Sequence, residues 1–367
     1  MKNYISNVDT ICCLIYFENY DSNIYIQDLL KYLKAEKEKA LLAATNNAEY
    51  KHMITINEMA FQLFPNGTHG YSYIIRNNGY EIKIAQFNSK LKAFAPVSVR
   101  ISAEYLWSQG LRNSWNILQN WLVETFDNIK EVKISRVDLA THISDVDFTT
   151  NYEKCYKGNF KKFQNFYTDR KINSICFGSR SSDIYCRIYN KTQEINELKH
   201  KYWFIDIWKK YDMNVDNVWN VEFELKSEQL RKFDIISIND LLEHITALWQ
   251  YCTKEWLVKI DRTNERVERC NTNNDWLTIQ NAYNGFSSKE LIKRENQILS
   301  DANALIPAIS GYLTSYGAMI GETNFNKVLN NISIESEKYY SKKLTSANEV
   351  IVSKMPRFLD CEVHDNE

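Results

Sequence analysis

The sequence predicts an α+β fold: an antiparallel sheet domain with flanking helices, followed by a mostly α-helical C-terminal domain. Three observations predict it. Segments at 134–142, 184–191 and 219–226 alternate apolar and ionisable residues with a period of two, the pattern of strands with one buried and one polar face. Turn signals at Pro65-Asn66-Gly67 and Asn77-Asn78-Gly79 separate further short strand candidates. Beyond residue 235 the alternation fades and helical spacing takes over. A sheet domain at 1–235 and a helical domain at 236–367 follow. The 367 residues exceed one ordinary domain, and 44% hydrophobic residues suffice for a sizeable core. Only four prolines and ten glycines argue against long low-complexity linkers.

Along the chain, residues 10–17 read as an opening strand and 26–45 as a helix rich in Leu, Lys and Ala. Strand candidates follow at 53–63, 71–75, 80–87 and 97–101. A helix over 103–126 carries Leu106, Leu111, Trp115, Leu118 and Leu122 at helical spacing, a stripe for the core. It leads into the first alternating strand, where Arg136, Asp138, Ala140 and His142 share the face opposite Val137 and Leu139. In the segment 178–191, Ile184, Cys186 and Ile188 point inward, while Tyr185, Arg187, Tyr189 and Lys191 form a row of phenols interleaved with cations. Over 219–226, Glu222, Glu224 and Lys226 oppose Val221, Phe223 and Leu225. Asn239-Asp240-Leu241-Leu242 offers a capped helix start, and helical patterns recur at 240–260, 276–283, 288–318 and 323–347.

If the three alternating strands pair in one sheet, carboxylates, cations and tyrosines converge on the side away from the core. Gathered carboxylates suit Mg²⁺ or Mn²⁺, which prefer oxygen ligands. A phenol beside fixed positive charge can attack phosphorus, so metal, nucleophile and cations together describe phosphoryl transfer. Tyr185 and Tyr189 share one face about 13 Å apart, and periodicity does not separate them. His142 shares its face with Asp138 as a metal ligand, a proton shuttle or a structural histidine near the strand end; a straight strand sets the two about 13 Å apart, so shared ligation needs a bend or bulge.

Other chemistries are excluded. The six histidines contain no His-x-His pair, and the eight cysteines no CxxC pair or zinc spacing. Neither a GxxxxGK[ST] loop nor a GxSxG elbow occurs. The net charge of −1 is low for a nucleic-acid partner, but residues 154–201 hold eleven Lys and Arg against four Asp and Glu, a local +7. Arg180 within that run, and Arg136 outside it, are cations available to a DNA backbone. In 261–270 (DRTNERVERC), Arg262, Arg266 and Arg269 fall on one face if that segment is helical, either to track DNA or as a solvated face balanced by Glu265 and Glu268. With no signal peptide and no apolar run of about 18 residues, a cytoplasmic compartment and no membrane partner are expected.

Several segments in order resemble one family. The strings SRVDLATH (135–142), GSRSSDIYCRIYNKTQE (178–194), NVEFELKSEQLR (220–231) and LWQYCTKEWL (248–257) occur in the order and at roughly the spacing of rolling-circle replication initiators of small Gram-positive plasmids and related integrative-element relaxases. APVSVRISAEYLWSQG (95–110) resembles the segment before the first acidic strand of that group. The resemblance implies a site-specific DNA nickase that leaves a 5′-phosphotyrosine and a free 3′-hydroxyl. It implies Tyr189 as nucleophile, Asp138 and Glu222 as ligands of Mg²⁺ or Mn²⁺, and origin DNA, a host helicase and a second copy of the chain as partners. His142 stands where the family often has a second Asp, and Asn220 where it often has an Arg. A conjugative relaxase with the same chemistry, a DNA-binding regulator that kept the fold without catalysis, and a phosphodiesterase using water are the alternatives.

Overall fold

The alternating segments do pair, and in a single sheet. The structure is a computed structural model that describes residues 3–46, 51–87, 94–150, 152–198, 201–286, 302–343 and 345–354. In chain order the strands are β1 (Tyr4–Phe17), β2 (His52–Ile56), β3 (Met59–Leu63), β4 (Tyr73–Arg76), β5 (Tyr80–Ile84), β6 (Val97–Ile101) and β7 (Ile129–Ser144). There follow β8 (Tyr156–Gly158), β9 (Phe163–Thr168), β10 (Lys171–Gly178), β11 (Ile184–Asn190), β12 (Val218–Lys226) and β13 (Leu257–Lys259). The helices are α1 (Ile24–Asn46), α2 (Ala103–Thr125), α3 (Lys191–Leu198), α4 (Trp203–Lys210), α5 (Ser227–Arg231), α6 (Ile238–Gln250), α7 (Asn274–Gln280), α8 (Ala302–Ile320), α9 (Phe325–Lys342) and α10 (Ala347–Lys354).

Among the described residues, eleven strands form an antiparallel sheet in the order β2-β3-β4-β5-β6-β1-β7-β12-β11-β10-β9, and β13 pairs with β8 apart from it. The segment expected as one strand at 53–63 is a hairpin, because Asn57 and Glu58 take positive φ (45° and 65°) as a tight turn requires. The expected strand at 178–191 stops at Asn190, whose side chain accepts a hydrogen bond from the Gln193 N–H at 2.8 Å and caps α3. Lys191 therefore opens a helix instead of continuing the row of alternating side chains.

The apolar face of β7, β12 and β11 carries Val137, Leu139, Val221, Phe223, Leu225 and Ile188, all buried. Covering it are α6, a π-helical turn (Tyr251–Trp256) and α7. Phe223 meets the Trp249 ring edge-on at 5.4 Å, and the Trp249 indole donates to the Ile279 carbonyl at 2.7 Å. Tyr283 then donates to the Asn7 carbonyl at 2.5 Å, joining this layer to β1. Without these helices the Phe223 face would lie open to water. The chain accordingly divides into units Met1–Leu291 and Ile292–Glu367, so the boundary expected near residue 235 falls inside the first unit. Part of the helical pattern at 288–318 lies outside the described residues. In the second unit α8 and α9 approach closely at Gly317, where a Cβ would stand 2.8 Å from Val328 Cγ2. No helix among the described residues is long and apolar enough to cross a membrane.

One break in α2 positions the site. β6 pairs with β1 only over Ile11 to Ile15, which leaves the outer edge of the earlier β1 residues free of strand partners. The start of α2 lies there: Asn7 donates to the Leu106 carbonyl and the Trp107 indole to Asp9, both at 2.8 Å. At Gly110 the backbone swings to φ 74°, ψ 162°, a conformation essentially reserved for glycine. Beyond it the helix returns to the apolar face, where Trp121 packs 5.2 Å from Phe61. Gly110→Ala is expected to cost about 1–3 kcal/mol of stability in chemical denaturation. An unchanged midpoint would contradict this account of the break.

Candidate active site on the polar face of the sheet

Register builds the site as a grid. His142, Asn220 and Tyr189 lie directly opposite one another across β7, β12 and β11. The next row is Ala140, Glu222 and Arg187, and the next Asp138, Glu224 and Tyr185; Arg136 lies opposite Lys226. Cross-strand partners project to the same face, so the three polar faces read in the sequence are one surface.

The Tyr189 hydroxyl is the most heavily engaged atom of that surface. It donates to Glu222 Oε2 at 3.1 Å and accepts from Asn220 Nδ2 at 2.9 Å and Lys191 Nζ at 3.2 Å. Asn220 Nδ2 also reaches Glu222 Oε2 at 3.2 Å, and Arg187 donates to Glu222 Oε1 in a short ion pair. Although Lys191 has left the strand, its ammonium returns to the row: the side chain is 1% exposed and pairs with Glu194 at 2.6 Å. Burial and Glu222 push the Tyr189 phenol well above its ordinary value, opposed by Lys191 and Arg187. Burial works to raise the Glu222 carboxyl too, but Arg187, Lys191 and the hydrogen bonds it accepts hold it below the ordinary 4.5. At neutral pH the phenol is therefore protonated and Glu222 ionised. The proton acceptor is already in contact with the proton that a nucleophilic attack would release.

A second cluster lies two rows along. Arg136 grips both oxygens of Asp138, at 2.7 and 2.6 Å, and pairs with Glu224 at 2.9 Å. Arg180 reaches Glu224 at 3.2 Å and lies over the Tyr185 ring at 4.9 Å. Tyr185 is only 6% exposed, and burial raises its phenol to about 12, with Cys176 adding and Arg180 and Arg187 opposing. Tyr189, by contrast, is half-buried and borders an open cleft of about 250 Å³ with Asn173, Ser174, Arg187, Gln193 and Glu194. Of the two phenols, Tyr189 has the proton acceptor and borders the cleft.

The expected ligand set does not assemble. Asp138 and Glu222 are brought to one surface, but Arg136 and Arg187 occupy their oxygens. His142 is fully buried, stacked on Trp107 at 4.6 Å, and its Nδ1 accepts from the Trp208 indole at 3.0 Å. Among the described residues no group of three or more His, Cys, Asp or Glu side chains is placed to hold a metal ion. As placed, Asp138, Glu222 and His142 do not fit Mg²⁺ or Mn²⁺. His142 serves instead as part of an aromatic wall with Phe204, whose ring lies 4.7 Å away.

Arg262, Arg266 and Arg269 do not share a helix face. Residues 261–266 are irregular and Val267–Arg269 is a single 3₁₀ turn, because the segment is pinned by the Ile260–Thr272 bridge and by Arg262 donating to the Glu265 carbonyl at 2.8 Å. Asn220, noted in the sequence only as a departure, is a direct donor to the nucleophile candidate. Asp9 was invisible to periodicity because it sits in a bulge between Val8 and Thr10. Burial and then Glu222 raise its carboxyl, while Lys191 and Lys201 oppose.

No family model matches the chain, and no curated protein matches it as a relative. Among solved structures it is similar to "Structure of Rolling Circle Replication Initiator Protein from Geobacillus stearothermophilus", with a TM-score of 0.42 at 16% identity over 76% of this chain and 95% of that one. At that score and identity the likeness says nothing about this chain's chemistry.

The depressed Glu222 carboxyl fixes the sign of a pH effect. Its ion pairs stabilise the folded state above the ordinary 4.5 and are lost as pH falls through the lower folded value. Melting wild type and Glu222→Gln in parallel should show a stability gap that is widest above 4.5 and closes at lower pH. A gap independent of pH would contradict an ionised Glu222.

Proposed function

We propose that this chain is a tyrosine DNA strand transferase that initiates rolling-circle replication by nicking one strand and later rejoining it. The observation that carries the proposal is the Tyr189 hydroxyl held at once by Glu222, Lys191 and Asn220. The motifs at 135–142, 178–194 and 220–231 supply the substrate class. Tyr189 Oη forms a bond to a backbone phosphorus as the bond from phosphorus to the 3′-oxygen breaks. The phenolic proton passes to Glu222, and the departing 3′-oxygen takes a proton from water. Lys191 and Asn220 stabilise negative charge on the phenolic oxygen as it develops, and Arg187 neutralises Glu222 so that a phosphate can approach. The phosphotyrosine keeps the energy of the broken ester, so attack by a 3′-hydroxyl restores the strand without ATP. DNA is thus the proposed partner, with a host helicase and a second copy of the chain as the others that the resemblance implies.

One observation favours a second reading, a DNA-binding regulator without catalysis. Asp138, Glu222 and Glu224 are each already paired with an arginine, so the face is satisfied with no substrate present.

Incubation with a random pool of single-stranded DNA separates the two. A strand transferase gives a denaturation-resistant adduct that maps to Tyr189 and is absent from Tyr189→Phe. DNA binding with no adduct under any condition would overturn the proposal in favour of the regulator. Parallel reactions with Mn²⁺, Mg²⁺ or EDTA read the metal requirement that the resemblance implies. Lys191→Ala and Asn220→Ala are expected to slow adduct formation by roughly 10²-fold each in single-turnover assays. Rates equal to wild type would remove these two side chains from the chemistry.

A further inference from the structure

We propose that Phe166, with the lysines and arginine flanking β9, is a base-stacking platform that holds the single strand beside Tyr189. The inference rests on the cleft receiving DNA. Ser174 is paired with Tyr189 on one side and with Phe166 on the other, so all three side chains rise from the same face of the sheet. Two strand spacings, about 10 Å, separate Phe166 from Tyr189. Two of the three, Ser174 and Tyr189, line the cleft together with Asn173 and Arg187.

Phe166 is 52% exposed on the last strand of the sheet. Its aromatic neighbours on β9 have other work. The Phe163 ring packs 5.3 Å from Phe177, and the Tyr167 hydroxyl meets that of Tyr152 at 2.9 Å. Phe166 has no ring partner among the described residues, and a free aromatic on an edge strand is a liability that a fold ordinarily blunts. Lys161 and Lys162 precede the strand, and Arg170 and Lys171 follow it, all exposed. Asp169 is the one acidic residue between 154 and 182. An aromatic face set among cations suits a nucleic-acid strand: a base covers the ring and its phosphates meet the lysines. Stacking accepts every base, so the platform would fix the position of the strand and leave sequence choice to other residues.

The test is anisotropy of two labelled oligonucleotides of equal length, oligo(dT) and its abasic counterpart, with the full chain. Phe166→Ala should weaken oligo(dT) binding about 5-fold or more and leave the abasic strand unchanged, and Phe166→Trp should restore wild-type affinity. Lys161→Ala combined with Lys162→Ala should lower the salt dependence of binding for both strands, by about 0.7 in slope for each phosphate no longer neutralised. Phe166→Ala binding oligo(dT) like wild type, or losing both strands equally, would overturn the platform. The readout is binding, not cleavage. An adduct at Tyr189 with no effect of Phe166→Ala would sink the platform and leave the strand transferase standing. Loss of base-dependent binding in a chain that forms no adduct would do the reverse.

Discussion

The arrangement around Tyr189 depends on Glu222 staying charged in a place where water is nearly absent. Its side chain is 2% exposed, and a lone carboxylate there would protonate. Arg187 opposite it, Lys191 at the turn out of β11 and the donors on Asn220 and Tyr189 prevent that. In return Glu222 holds the phenol, Asn220 and Arg187 in one arrangement. Removing one member of a buried ion pair typically costs about 3–5 kcal/mol, because the other charge is left unpaired. The site is therefore preorganised by the same contacts that would carry its proton transfer.

The fold supports this arrangement through its backbone. Direct register across β7, β12 and β11 sets the rows, and the end of β11 at Asn190 swings Lys191 onto a helix from which it reaches back to Tyr189. The bulge at Asp9 and the break at Gly110 let Trp107 lie against His142, closing the end of the first row with aromatic rings. Helices α6 and α7 seal the opposite face, which is why the half of the sheet that carries Tyr189 needs residues well beyond 235.

Much of the fold was legible because its signal is local. Alternation at 134–142, 184–191 and 219–226 is a property of each strand alone, and it put Asp138, Tyr189 and Glu222 on polar faces that meet, although Lys191 opens a helix instead of continuing its row. What required the folded chain was everything set by two distant segments at once. Arg136 and Arg187 read equally well as DNA contacts or as internal partners of carboxylates, and only register shows the internal pairing. His142 alternated with Asp138 and looked like a ligand, yet Trp107 and Trp208 from two separate helices claim its ring. The arginines at 262, 266 and 269 have helical spacing, but a backbone bridge between Ile260 and Thr272 outweighs it. Tyr185 and Tyr189 were indistinguishable by periodicity, and the contact with Glu222 and the adjoining cleft set Tyr189 apart.

The most direct test of a covalent tyrosine step is the stereochemical course at phosphorus. A strand carrying one chiral phosphorothioate at the cleavage position would be cut and transferred to a second 3′-hydroxyl, and the configuration of the product determined. Attack by Tyr189 followed by attack of the second strand comprises two in-line displacements, and so predicts retention. Inversion would mean a single displacement with no tyrosine intermediate, and would contradict the account of Glu222 as keeper of a nucleophilic phenol.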